Sequence, residues 1–352
     1  MPAVVPTVRG GGKRSLVLVV GSGRSGTSLF AGTLQRLGFH VPQPEVPADH
    51  TNPRGFAESK WVVDFHTRLL RRARVQLSDA RPSAWSKTAQ VGLDENVRRE
   101  LREWLDNQFR LSDDMVIKDP RLSWFLPLWQ RCADEIGAVP GFVTVLRHPA
   151  AVVDSKQRSY GGWQGEVSRT AGWVNLVLFT ERATRDAPRV YLRYDDLLDD
   201  WTSTVAGVAE ALDLRIVRDA SPVSMRRVHE FVDRSLSRSR SGWEDFDIPD
   251  RLREQADEVW ELVSGLADEG TDAAAVERLD AARAAYIELY EDAEAIAESS
   301  IAAVQRRQAT APERVSGGAL AAVRRLLPRR VRRKIPLHWR RAVVVRLQAN
   351  RR

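Results

Sequence analysis

Cysteine is almost missing from this 352-residue chain: Cys132 is the one example. A disulfide framework and a cysteine-based metal cluster are thereby excluded. No apolar run reaches the length needed to cross a bilayer, and no secretory segment is read at the start. A cytoplasmic setting is the default expectation. Residues 1–14, short and rich in Pro and Gly, are expected to be disordered.

Acidic residues are scarce in one place only. Thirteen of the 54 Lys and Arg, but a single one of the 47 Asp and Glu, fall between Glu313 and Arg352. The remainder carries 41 basic against 46 acidic residues, a net charge of −5. The basicity belongs to a tail, and the body is mildly acidic. Nucleic-acid binding needs positive charge spread over the binding face of the fold, so no nucleic-acid partner is expected.

The most informative stretch runs from Leu16 to Ser28. Leu16-Val-Leu-Val-Val20 reads as a strand buried on both faces, as in a parallel sheet. Gly21, Gly23 and Gly26 then let the chain turn and approach a ligand without a Cβ in the way. Thr27 to Leu37 reads as the following helix, whose N-terminus offers free N–H groups to an anion. The residues Gly21, Ser22, Gly23, Arg24, Ser25, Gly26, Thr27 and Ser28 are therefore the candidate phosphate cradle.

Three cradles compete. Gly21-Ser-Gly-Arg-Ser-Gly26 satisfies the dinucleotide fingerprint, which wants a second strand ending in an acid about twenty residues on. The prolines of Phe39-His-Val-Pro-Gln-Pro-Glu-Val-Pro47 make a poor central strand there. The spacing also fits a nucleotide triphosphatase, yet Thr27 stands where the lysine belongs. The cation lies inside the loop instead, at Arg24. Such a loop, followed by Ser-Gly-Thr-Ser, resembles the 5′-phosphosulfate loop of sulfotransferases that use 3′-phosphoadenosine 5′-phosphosulfate (PAPS).

Further segments fall in with this resemblance. Asn52-Pro-Arg-Gly-Phe-Ala-Glu-Ser59 reads as a turn opening a helix, with Glu58 in its first turn. Glu58 is either a helix-start carboxylate favoured by the dipole or a general base. The pattern is similar to the segment that carries the catalytic glutamate in bacterial and Golgi-type sulfotransferases. Residues 68–110 read as a charged, helical insertion of the kind that builds an acceptor pocket, with His66 and Trp85 as candidate lining or core residues. Met115 to Ile117 reads as a strand ending in Lys118-Asp-Pro-Arg121, at the ligand-binding edge of a parallel sheet. In the family this segment holds a lysine facing the sulfuryl group. Lys118 takes that part here, with Asp119 as a reserve base; a salt-bridged loop is the alternative.

Gly141 to Leu146 reads as another buried strand, followed by Arg147-His-Pro and a helix bearing Ser155. An arginine, a proline two residues on and a serine eight residues on resemble the family's grip on the 3′-phosphate. The guanidinium fork matches phosphate oxygens, and Pro149 suits a first helical turn. Tyr194, in Tyr-Asp-Asp-Leu after a strand from Arg189, resembles a family tyrosine near the adenine and reads equally as a half-buried strand-end residue. Arg238 and Arg240 sit where the family has a basic loop over the 3′-phosphate, though its Arg-Lys-Gly run is missing.

The resemblance covers Leu16 to about Arg240. It implies an α/β, three-layer P-loop-like fold with a central parallel sheet flanked by helices, plus C-terminal helices. Residues 15–249 would form the catalytic domain, 250–310 a helical element and 311–352 a basic tail. That tail fits an amphipathic segment on an anionic membrane surface and equally a solvated extension, so peripheral membrane attachment stands beside the cytoplasmic expectation. The implied activity is transfer of a sulfuryl group from PAPS, without a metal, to a hydroxyl or amine of a glycan, glycolipid or small molecule. Glu58, Arg24 and Lys118 would carry the chemistry. A P-loop kinase or nucleotide-binding protein, and a non-catalytic membrane-tethered scaffold, are the competing classes.

Overall fold

A computed structural model describes residues 14–161, 164–233, 242–270 and 272–310. Arg238, Arg240 and the basic tail lie outside the described residues. Four strands, β1 (Arg14–Val20), β2 (Asp114–Lys118), β3 (Ala138–Leu146) and β4 (Arg189–Arg193), form one sheet in the order β2-β1-β3-β4. Every pairing is parallel, so each crossover must pass over a sheet face.

Helices cover both faces. On one lie α2 (Lys60–Ala73), α3 (Ala84–Gly92), α4 (Glu95–Phe109) and α5 (Leu126–Glu135), the last preceded by a 3₁₀ turn from Leu122 to Phe125. On the other lie α1 (Thr27–Leu37), α8 (Tyr194–Asp199), α9 (Trp201–Ala211), α10 (Arg215–Arg218) and α11 (Pro222–Phe231). Strand β1 shows why: Leu16, Leu18 and Val20 enter the first core while Val17 and Val19 enter the second. Alternate side chains leave a strand on opposite faces, and a central parallel strand must be apolar on both.

A third core joins the end of β3 to α6 (Pro149–Tyr160), α7 (Glu166–Ala183), α12 (Asp250–Glu269) and α13 (Ala273–Thr310). Trp173 and Val177 of α7 pack there with Val259 and Val263 of α12. The Tyr286 hydroxyl of α13 donates to the carbonyls of Ala80 and Ala171 at 2.5 and 2.9 Å. Contacts divide the chain into a unit ending at Glu291 and a second beginning at Asp292, whose described part is helical to Thr310. No helix among the described residues is long and apolar enough to cross a membrane.

Candidate active site

The loop after β1 has the shape that its glycines demand. Gly21 has φ +131°, and a Cβ there would stand 2.6 Å from the Val145 carbonyl oxygen of β3. Gly26, the residue before α1, has φ +95°, and a Cβ would lie 2.2 Å from the Tyr194 ring. Only glycine admits that contact. No side chain caps α1, so its leading N–H groups are left for a ligand. Gly21, Ser22 and Ser25 do not line the cleft; Ser22 and Ser25 are buried and joined by a Ser25 N–H donated to the Ser22 carbonyl at 3.1 Å.

A cleft of about 550 Å³ opens at the C-terminal edge of the sheet. It gathers Gly23, Arg24, Gly26, Thr27, Ser28, Glu58, Lys118, Arg147, Ser155 and Tyr194, residues spread over some 170 positions of sequence. Glu58 is the one carboxylate on its described walls, facing Arg24, Arg54, Lys118, Arg147 and Arg158.

One end of the cleft is a nest of unneutralised cations. Arg24 sits in the left-handed region at φ +77°, a conformation that costs a side-chain-bearing residue about 1–3 kcal/mol. Three bonds hold it: its Nε donates to Ser155 Oγ at 3.0 Å, its NH1 to the Thr51 carbonyl at 3.2 Å, and its own carbonyl accepts from Arg147 NH1 at 3.1 Å. The Arg147 guanidinium is buried and lies 4.5 Å from the centre of the Tyr194 ring. Its Nε is buried with no hydrogen-bond partner, and burial pulls its pKa down. The same burial pushes the Tyr194 hydroxyl up, against the pull of Arg147. Among the described residues neither Arg24 nor Arg147 has a carboxylate partner. Leaving buried donors and charge this way is costly unless an anion completes the set.

The Arg24 guanidinium is bonded to Ser155 and Thr51 and, among the described residues, not to Glu58 or Lys118. Ser155 lines the cleft, two turns into α6.

The other end holds a neutral pair. Lys118 Nζ, at the end of β2, donates to Glu58 Oε1 in a buried ion pair. Glu58 precedes Ser59, the residue that opens α2, so it is not in the first helical turn; Ala57, at φ +50°, breaks the chain direction just before it. Burial pushes the Glu58 carboxyl above the ordinary carboxylate range, and Asp119 reinforces it, although Lys118 and Arg121 pull the other way. Phe56 covers the pair, its ring centre 5.9 Å from Lys118 Nζ.

Asp119 faces away from the cleft into the core. Its Oδ2 accepts from His66 Nδ1 at 2.8 Å, and its Oδ1 accepts from Arg121 NH1 and N–H at 2.7 and 3.1 Å. Burial alone would raise its pKa, but these donors hold it below the usual value. Fully buried and bonded on both oxygens, it cannot reach a substrate as a base. His66 is equally buried and accepts from Trp129 Nε1 at 2.8 Å. Trp85 stacks on Phe179 and donates to Asn175 Oδ1 at 3.2 Å. Neither His66 nor Trp85 lines the cleft.

Sequence reasoning passed over Thr51, Arg54, Phe56, Arg158 and Tyr160, all on the walls. Arg158 lies three residues after Ser155 on the same helix face, a spacing that points to it. Among the described residues no cluster of three or more His, Cys, Asp or Glu could hold a metal ion.

No protein-family model and no curated protein matches the chain. Solved structures similar to it include two sulfotransferase domains. The sulfotransferase domain from the Synechococcus PCC 7002 olefin synthase has a TM-score of 0.43 and 15% identity, over 72% of this chain and 95% of that one. The sulfotransferase domain from the curacin biosynthetic pathway has a TM-score of 0.42 and 13% identity, over 71% and 97%.

Proposed function

We propose that the protein is a PAPS-dependent sulfotransferase acting on a hydroxyl or amine of a glycan, glycolipid or small molecule. One observation carries this reading: a single cleft holds two guanidiniums without carboxylate partners at one end and a buried Glu–Lys pair at the other.

The donor set fits a nucleotide bearing phosphates at both ends of its ribose. Arg147, with its free buried Nε, Arg24 and Ser155 would hold the 3′-phosphate; the uncapped start of α1 would take the phosphosulfate. Tyr194, stacked under Arg147, shapes the wall between them. Thr27 in place of a lysine weighs against a nucleotide triphosphatase. When bound, the phosphosulfate supplies the sulfuryl group, whose bond to the bridging phosphate oxygen breaks as the acceptor's oxygen or nitrogen bonds to sulfur. Glu58 takes the acceptor's proton; its raised pKa brings it nearer the range suited to a general base. As Glu58 is neutralised its hold on Lys118 weakens, and the ammonium is available to charge growing on the leaving side.

The test has two arms. The full chain should bind adenosine 3′,5′-bisphosphate in calorimetry, and radiolabelled PAPS with a panel of acceptors should give a labelled product that Glu58→Ala abolishes. Tighter binding of ATP–Mg²⁺ than of the bisphosphate would overturn the reading.

A further inference from the structure

Two neighbouring residues at the end of β2 grip the α2 segment at two points. Lys118 turns to the cleft and binds Glu58, just ahead of the helix; Asp119 turns to the core and binds His66, two turns into it. We propose that Asp119, held by His66 and Trp129, is a positioning residue that fixes α2 against β2 and sets a fixed negative charge behind Glu58. This rests on Glu58 being the base of the proposed reaction.

The bonding direction follows from chemistry. An indole N–H can only donate, so His66 Nε2 is the acceptor and Nδ1 carries the hydrogen given to Asp119. Trp129 therefore sets the tautomer, and Phe125 stacks on the imidazole at 5.4 Å and 16°. The Asp119 carboxylate is thus held ionised by a neutral donor, with Arg121 as its counter-charge. A buried carboxylate is expensive to keep, and a cheaper apolar contact could pin the helix. What the carboxylate adds is a negative charge close behind the pair, which opposes ionisation of Glu58.

The charged groups facing Glu58 are few. From the end of β2 come Lys118 and Asp119, and from the turn beyond it Arg121. The cleft walls add Arg24, Arg54, Arg147 and Arg158. Lys118 and Arg121 favour the charged carboxylate, and Asp119 alone among its close neighbours opposes it. Removing Asp119 and removing Arg121 must therefore act with opposite signs.

The experiment follows the Glu58 carboxyl itself by carbon-13 NMR in the full chain, with the resonance assigned through Glu58→Gln. Asp119→Asn should move the Glu58 midpoint to lower pH by roughly one pH unit. Arg121→Gln, at a partly exposed site, should move it to higher pH. Midpoints unmoved by both, or moved in the same direction, would overturn the proposal. Should Asp119→Asn fail to fold, Arg121→Gln decides: a rise supports the proposal and no change or a fall rejects it. Affinity for adenosine 3′,5′-bisphosphate, measured on the same proteins, tests the sulfotransferase reading separately, because the titration needs no nucleotide.

Discussion

The two ends of the cleft handle positive charge in opposite ways. At one, the partners of Arg24 and Arg147 among the described residues are all neutral: a hydroxyl, two carbonyls and a tyrosine ring. At the other, Lys118 is matched by Glu58 in a buried pair. The first arrangement leaves its positive charge open to an anion, and the second is balanced within the protein. Under the proposed function, binding and chemistry are separable, and substitutions at each end should change different measurements.

The largest effect falls at the balanced end. Glu58→Gln should lower the transfer rate by about 10²- to 10⁴-fold while affinity for the bisphosphate product stays unchanged in calorimetry. If Glu58 is the base, the rate of the native protein should fall as pH drops through the raised Glu58 pKa, because protonation removes the base; that acid limb should be missing from the residual rate of the variant. A matched loss of nucleotide affinity would collapse the distinction between the ends.

At the unfinished end, Arg147→Ala removes charge-assisted bonds of about 1.5–3 kcal/mol, so the bisphosphate should bind some ten- to 150-fold more weakly. The rate at saturating PAPS should largely persist. Gly26→Ala introduces a Cβ in a left-handed conformation and against the Tyr194 ring. It should cost about 1–3 kcal/mol of stability in denaturant unfolding, with nucleotide affinity falling as the ring is displaced. The mildest change is Ser155→Ala, which removes one neutral partner worth about 0.5–1.5 kcal/mol and should weaken the bisphosphate only a few-fold. An equally large loss from Ser155→Ala and Arg147→Ala would show that the hydroxyl, not the guanidinium, dominates the grip.

Much of the binding end was readable from local pattern. The apolar run at Leu16–Val20, the glycines of the loop, and the eight-residue interval from Arg147 to Ser155 all encode geometry over short distances. The parallel sheet followed from strands apolar on both faces. What escaped was set by contacts distant in sequence. Glu58 and Lys118 are 60 residues apart, and His66 and Trp129 63; neither pairing leaves a trace in spacing. The position of Glu58 ahead of the helix depends on Ala57 at positive φ, which no propensity signals. Arg24 was placed in the right loop, yet the direction of its long side chain is decided by Ser155 and Thr51, which only the fold brings near.

The alternation of Lys118 and Asp119 has a consequence for insertions and deletions. A strand's faces exchange with every single-residue shift. Deleting one residue within β2 would present a carboxylate to the cleft and carry Lys118 into the core-facing place of Ile117. Length variation in this protein should thus be silent in the connections around β2 and disruptive inside it, because the reading frame of one short strand decides which charge meets the cleft.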